Sequence, residues 1–178
     1  MAITQRLEKL RQKLTEEGLE SILISQPENC HYLSGFDGSA GALLISPGST
    51  VLATDFRYLE QAKSQAPNFE IAQVKGEARE RPLLELAAEL GIKRLGFEAN
   101  NLCFADYRQL AEEADRLHLE LVPMEGLVES LRAVKEEEEI ACLVKAAELA
   151  DAALEYIATE IYPGMKEKEV AWEIEKFL

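Results

Sequence analysis

Residues 29–41 bring together more reactive side chains than any other stretch of the chain. They read Asn-Cys-His-Tyr-Leu-Ser-Gly-Phe-Asp-Gly-Ser-Ala-Gly, with a thiol beside an imidazole at Cys30 and His31. A nucleophile needs its base within hydrogen-bond reach, but neighbours on a strand point to opposite faces. Gly38-Ser39-Ala40-Gly41 matches a G-x-S-x-G nucleophile elbow only in part. We therefore interpret Cys30 as a buried thiol and His31 as a loop histidine, and predict no nucleophilic catalysis.

Metal ligation by this chain is not predicted either. The two histidines are His31 and His118, and no D-x-D, H-x-H or H-E-x-x-H spacing occurs. Beyond Val134 the only aspartate is Asp151, which lies in a helical pattern. We expect the chain by itself to hold no metal ion and no other cofactor.

The glycines of the run 29–41 predict a loop of defined shape, because Gly reaches backbone angles closed to other residues. A second polar run, Thr54-Asp55-Phe56-Arg57-Tyr58, follows a short apolar segment. Asp55 fits the N-cap of a helix, where its side chain would accept a backbone N–H. Arg57 would then pair with a nearby acid.

Together the two runs resemble the N-terminal domain of the creatinase/prolidase family, which includes Xaa-Pro aminopeptidases and dipeptidases. That domain commonly shows N-x-x-Y-L-S/T-G-F-x-G-S-x-G and then T-D-x-R-Y, and residues 29–41 and 54–58 match both patterns. Residues 131–135 and 164–169 resemble the start of the family's catalytic domain. The resemblance implies an N-terminal domain over 1–132 and the helical start of a truncated catalytic domain over 133–178. The metal ligands would lie beyond position 178.

The resemblance gives the loop Gly35–Gly41 a functional interpretation. N-terminal domains of the family sit across a dimer, where this loop can reach the partner's active site and contact the substrate's N-terminal residue. The residues implied in substrate contact are Phe36, Asp37, Ser39, Arg57 and Tyr58. The structural alternative for the loop Gly35–Gly41 is a folded connection between a short helix and a strand. For residues 55–58 the structural alternative is that Asp55 caps a helix and Arg57 pairs with a nearby acid. Because the loop residues are small and polar, we expect them to matter little for folding.

The resemblance also implies the activity of the parent protein. It would remove an N-terminal residue that precedes proline, or split an Xaa-Pro dipeptide, with two divalent ions (Mn, Co or Zn) sharing the attacking hydroxide. This chain would shape the cleft and build a homodimer, and would be inactive alone. Two alternatives remain open, a non-catalytic protein-interaction module on the same fold and a part of a creatinase.

Composition limits the partners of the chain. With 19 basic and 33 acidic residues the net charge is −14, which would repel a nucleic-acid backbone. No long apolar run or signal-peptide core is present, so we predict a cytoplasmic protein without a membrane span. The three cysteines, Cys30, Cys103 and Cys142, are far apart and are interpreted as free buried thiols.

Periodicity predicts an α/β fold for the first domain. Helical patterns alternate with short apolar runs, and a hairpin at Pro47-Gly48-Ser49 interrupts the order, so we predict a mixed sheet. The family resemblance implies the same form, with helices on both sides of the sheet. A long helix at about 136–160, a break at Pro163-Gly164 and a helix at 165–178 follow. The predicted elements of the first domain are helices at 3–17, 56–66, 80–90 and 104–117 and strands at 21–25, 41–46, 50–54, 69–74, 94–98 and 120–122.

Overall fold

A computed structural model describes residues 3–74 and 80–178 of the chain. The chain divides into two compact units, the first ending at Val134 and the second formed by Lys135–Leu178. The strands are β1 (Ser21–Ile24), β2 (Gly41–Ile45), β3 (Thr50–Thr54), β4 (Glu70–Gln73), β5 (Arg94–Glu98) and β6 (Glu120–Met124). The α-helices are α1 (Ile3–Glu16), α2 (Pro27–Ser34), α3 (Leu59–Gln65), α4 (Glu80–Glu89), α5 (Phe104–Arg116), α6 (Leu127–Arg132), α7 (Glu137–Glu160) and α8 (Glu167–Phe177).

The six strands form one mixed sheet in the order β4-β3-β2-β1-β5-β6. The hairpin pair β2–β3 and the pair β1–β2 are antiparallel, whereas β3–β4, β1–β5 and β5–β6 are parallel. The turn of the hairpin lies at residues 46–49, where Ser46 and Ser49 hydrogen-bond to each other. The mixed sheet predicted from the sequence is confirmed.

Helices cover both faces of this sheet, as the family resemblance implied. Successive residues of a strand point to opposite faces, and Leu43 and Leu44 of β2 accordingly enter two different core clusters. The cluster around Leu43 includes apolar residues of α1, α2 and α6, and the cluster around Leu44 includes residues of α4 and α5. Both faces of β2 are thus buried, which explains its uninterrupted apolar sequence.

The bounds of two short helices were not predicted, although a short helix before Gly35 was part of one interpretation of the sequence. α2 occupies residues that we had interpreted as loop: Pro27 lies in its first turn and Gly35, with φ of 81°, ends it. The Ser34 hydroxyl donates to the carbonyl of Cys30 within the last turn. α6 has six residues, which is too short for hydrophobic periodicity to reveal.

Strand β6 and helix α3 differ from their predicted bounds. Pro123 was expected to end β6 at Val122, but the strand continues to Met124. The backbones of Glu120 and Met124 hydrogen-bond to residues on the β5 side. Because the direction of the backbone groups alternates along a strand, the nitrogen of Pro123 faces the free edge of the sheet, where its lack of an N–H breaks no hydrogen bond with β5. The predicted helix 56–66 begins as a 3₁₀ turn, Phe56–Tyr58, before α3 starts.

The three cysteines are free, but only one of them is buried, so the expectation for the other two is corrected. Cys30 is 2% exposed inside the core beside α2. Cys103 occupies the N-cap position of α5 at the surface, and its thiol lies 2.9 Å from the Asp106 carboxylate. Cys142 lies on an exposed face of α7.

The second unit consists of α7 and α8, which match the two predicted helices. Glu136 and Glu139 form a capping box at the start of α7. The rings of Tyr156 and Phe177 stack with centroids 4.9 Å apart and join the two helices. Within residues 3–74 and 80–178, no helix combines the length and the apolar character that a membrane span requires.

Candidate functional site

The loop Gly35–Gly41 folds over a buried aromatic ring. The side chain of Phe36 is 1% exposed and belongs to the core. A Cβ atom built on Gly41 would lie 2.8 Å from a ring carbon of Phe36, and one built on Gly38 would overlap the ring. The loop backbone therefore crosses the ring at a distance that only glycine permits at these two positions.

This burial corrects two expectations about Phe36. Its ring offers no surface to a substrate, so it supports the loop instead of contacting a ligand. Nor is the loop unimportant for folding, because removal of a large buried side chain leaves a cavity. The polar residues that follow the ring are different, since Asp37 and Ser39 are both exposed.

The second polar run is fixed by its own hydrogen bonds. Asp55 Oδ1 accepts from the backbone N of Arg57 at 2.9 Å, which confirms the N-cap interpretation. The Arg57 side chain donates to both oxygens of Asp55, with Nε–Oδ1 and Nη2–Oδ2 distances of 3.0 and 2.7 Å. This hydrogen bond and the charge of Asp55 raise the pKa of Arg57. The 3₁₀ turn thereby presents an exposed guanidinium in a defined orientation.

The two runs meet at Tyr58. Its hydroxyl lies 2.8 Å from Ser39 Oγ, and its ring stands edge-on to that of Phe36 with centroids 6.0 Å apart. The guanidinium carbon of Arg57 lies 5.3 Å from the centre of the Tyr58 ring. Residues predicted separately from two sequence runs are thus joined at one surface.

Asp37 belongs to the same surface and is held by α3. Its Oδ1 accepts from Gln61 Nε2 at 2.6 Å, and its backbone N donates to Gln65 Oε1 at 3.2 Å. Hydrogen bonding with Gln65, assisted by Gln61 and the charge of His31, lowers the pKa of the Asp37 carboxyl despite a partial opposing effect of desolvation. Sequence reasoning missed both glutamines, although their spacing of four places them on one helix face.

We call Asp37, Ser39, Arg57 and Tyr58 the loop cluster. It offers one carboxylate, one guanidinium and two hydroxyls at the surface, above the packed ring of Phe36. The hydroxyl of Ser39 is paired with Tyr58 and not with a base. No three His, Cys, Asp or Glu side chains among the described residues are arranged to hold a metal ion. The chemistry that this arrangement supports is binding and orientation of a polar or charged ligand.

A second polar group, which sequence reasoning missed, lies inside the first unit. We call Asn29, Glu98, Glu129 and Arg132 the Asn29 cluster. Glu98 is 7% exposed, and its Oε2 accepts from the backbone N–H groups of Ser25 and Gln26 at 2.6 and 2.7 Å. Asn29 and Arg132 both lie in sequence runs that carried the family resemblance, and this was the available signal.

Asn29 connects the members of the Asn29 cluster. Its Nδ2 donates to Glu98 Oε1 at 2.5 Å and to Glu129 Oε1 at 2.7 Å, and its Oδ1 accepts from Arg132 Nη1 at 2.8 Å. Since Glu98 ends β5 and the other two partners lie on α6, the amide ties this helix to the sheet. The hydrogen bonds of Asn29 therefore have a structural role, which is to stabilise the packing of α6 against the sheet.

Comparison with known proteins identifies the fold. The chain is 40% identical over 173 residues to the uncharacterized peptidase YqhT of Bacillus subtilis, covering 97% of this chain and 48% of the relative. It matches the structure of the Xaa-Pro dipeptidase from Bacillus anthracis with a TM-score of 0.88 and 39% identity, over 99% of this chain and 48% of that one. The N-terminal domain of the cytoplasmic peptidase PepQ from Mycobacterium tuberculosis matches 71% of this chain and 98% of its own, with a TM-score of 0.68 and 43% identity.

The chain spans about half the length of the curated relatives that it matches over nearly its whole extent. The family model of the creatinase/prolidase N-terminal domain matches residues 6–134, which include most of α1, the whole sheet and α6. Both runs from which the resemblance was inferred lie within this range. The chain therefore belongs to the creatinase/prolidase N-terminal domain family.

Proposed function

We propose that this chain is the N-terminal, non-catalytic part of a metal-dependent Xaa-Pro aminopeptidase or dipeptidase of the cytoplasm. Its family and the names of its relatives, among them Xaa-Pro dipeptidases of two Pyrococcus species, support this assignment. The observation that carries a role for this part is the loop cluster, in which exposed polar groups stand on a rigid, buried base.

The loop cluster contacts the peptide substrate near its N-terminal residue, across a homodimer. The pKa of Asp37 is lowered from an already acidic 3.8, so its carboxylate is ionised at neutral pH and can accept hydrogen bonds from a peptide ammonium group. Arg57 already pairs with Asp55, which leaves its outer N–H groups to meet a carbonyl or carboxylate. Ser39 and Tyr58 complete the polar surface.

The two divalent ions proposed for the complete enzyme do not fit the described residues of this chain, because these offer no cluster of three or more suitable ligands. The part played by this chain is therefore to position the substrate. We expect the isolated chain to release no N-terminal residue from Xaa-Pro peptides when Mn, Co or Zn is added. Metal-dependent release above a heat-inactivated control would contradict the proposal that this chain is non-catalytic.

The test of the loop cluster uses Asp37→Ala in the complete protein. We expect kcat/KM toward Xaa-Pro dipeptides and longer Xaa-Pro peptides to fall by about tenfold, since a charged contact to the substrate is lost. The matched control is Glu60→Ala, which removes an exposed carboxylate that pairs with Lys63 on the surface of α3. Melting temperatures of both variants should equal that of the parent. Equal kinetics for Asp37→Ala and Glu60→Ala would leave the loop only its structural role.

The same complete protein separates the alternative functions. Hydrolysis of creatine without hydrolysis of Xaa-Pro peptides would identify a creatinase. Absence of both activities with metal present would favour the interaction module. Sedimentation equilibrium tests the proposed homodimer, and a monomer with full activity would contradict contact across two subunits.

A further inference from the structure

The Asn29 cluster places two carboxyl groups against one buried amide. Asn29 is fully buried, and its Nδ2 has two hydrogens for three nearby acceptors, since Gln26 Oε1 lies at 3.3 Å in addition to the two glutamates. The guanidinium of Arg132 donates to the oxygen of the same amide. The arrangement thus brings two like charges together through a neutral group.

The groups that face Glu98 are few. It accepts hydrogen bonds from the N–H groups of Ser25 and Gln26, which connect β1 to α2, and from the amide of Asn29 on α2, all of them uncharged. The charge of Glu129 on α6 acts on Glu98, and Arg132 of the same helix joins the cluster through Asn29. A cavity of about 10 Å³, lined in part by Glu98, Glu129 and Gln26, adjoins the pair and has room for about one water molecule.

We propose that Glu98 and Glu129 form a proton-responsive latch on Asn29, in which uptake of one proton by the carboxyl pair holds α6 more firmly against β5 and α2. The proton comes from solvent and converts one carboxylate oxygen from acceptor to donor. That O–H group donates to the other carboxylate, directly or through a water in the cavity, and repulsion between two negative charges is replaced by a hydrogen bond.

The direction of the pH dependence follows from the burial of Glu98. Burial raises the pKa of Glu98 above the value of 4.5 for the free side chain, and the charge of Glu129 adds to this, while hydrogen bonds from Asn29, Gln26 and Ser25 oppose it. The folded chain therefore keeps the proton in a range where the unfolded chain has lost it. The latch gains stability as pH falls through the raised pKa toward 4.5, and loses it as pH rises.

The latch acts on the last element of the first unit. α6 ends at Arg132, and the second unit begins three residues later at Lys135. Binding of a proton within the first unit thus stabilises the packing of α6, the last helix before the second unit. This role is independent of peptidase activity.

The experiment uses the whole 178-residue chain. Carboxyl-carbon NMR titration should give a midpoint for Glu98 above 4.5 in the parent chain and a lower midpoint in Glu129→Gln. The matched control is Glu125→Gln, which removes an exposed carboxylate just before α6 and should leave the midpoint unchanged. A parent midpoint at or below 4.5 overturns the proposal without any variant.

Amide hydrogen exchange measures the local stability of α6. The amides of Ser130 and Ala133, which bond within α6, should open about threefold less often at about pH 4.5 than at about pH 7.5 after correction for intrinsic exchange. In Glu129→Gln this dependence should become smaller, because Glu98 remains buried but loses the charge of Glu129, while amides of α1 behave alike in both proteins. A pH dependence of α6 that is as large in Glu129→Gln as in the parent chain would show that the carboxyl pair is not its cause.

Discussion

The loop cluster and the Asn29 cluster draw on the same thirteen-residue run, 29–41, yet they are opposite in environment. Asn29, at one end, is fully buried and all its partners come from the protein. Asp37 and Ser39, near the other end, are exposed. A buried polar group must be satisfied internally, whereas an exposed one can exchange its partners for water or a ligand. One continuous motif therefore supplies a buried structural amide at its start and exposed polar side chains at its end.

Phe36 lies between the two ends of this run, and its replacement should cause the largest loss of stability. Phe36→Ala should lower the free energy of unfolding by about 3–5 kcal/mol, because a buried ring is replaced by a cavity. Phe56→Ala is the matched control, since that ring is 73% exposed and its loss should change stability by less than about 0.5 kcal/mol. Urea unfolding of both variants checks the difference. Similar small losses would place Phe36 outside the core.

Removal of the central amide of the Asn29 cluster should cause the second-largest loss of stability. Asn29→Ala removes the amide that pairs with Glu98 Oε1 and with Arg132, while the N–H groups of Ser25 and Gln26 still serve Glu98 Oε2, and we expect a loss of about 2–3 kcal/mol. Asn68→Ala removes an exposed amide of the same kind and should stay within about 0.5 kcal/mol of the parent chain. Thermal unfolding measures both. An Asn29→Ala variant as stable as the control would contradict the assignment of this end of the motif to architecture.

The close approach of the loop backbone to the Phe36 ring can be tested with two glycines. Gly38→Ala places a methyl group against the ring and should cost about 1–3 kcal/mol. Gly48→Ala is the control, because no atom lies within 4 Å of a Cβ there, and its effect should be within about 0.5 kcal/mol. If the two substitutions are equivalent in chemical denaturation, the loop does not depend on contact with the ring.

The smallest effect on stability is expected within the loop cluster. Tyr58→Phe keeps the ring against Phe36 but removes the hydroxyl that meets Ser39, an exposed contact. Stability should change by about 0.5 kcal/mol or less, and a double-mutant cycle with Ser39→Ala should show a coupling no larger than this. A larger coupling would mean that this surface is part of the architecture, like Asn29.

The sequence predicted the architecture well because long apolar periods and turn residues report directly on burial. The strand Arg94–Glu98 was predicted with its observed bounds, and the mixed sheet followed from one hairpin. The candidate site was predicted only in part, since residue type does not reveal which side of a loop faces solvent. Phe36 was therefore placed at the surface. The contacts of Gln61 with Asp37 and of Glu129 with Asn29 join distant segments, and no local pattern reports them.

Pro123 has a consequence for how copies of this chain can associate. The free side of an edge strand is a template for another strand, because its N–H and C=O groups lack partners. Near the end of β6 one outward N–H is missing, so an added strand could not continue its ladder there. The missing N–H thereby limits repeated addition of strands at this edge during folding and at high protein concentration. Addition of a strand is interrupted at this end of β6 only, since β4 forms the other edge of the sheet.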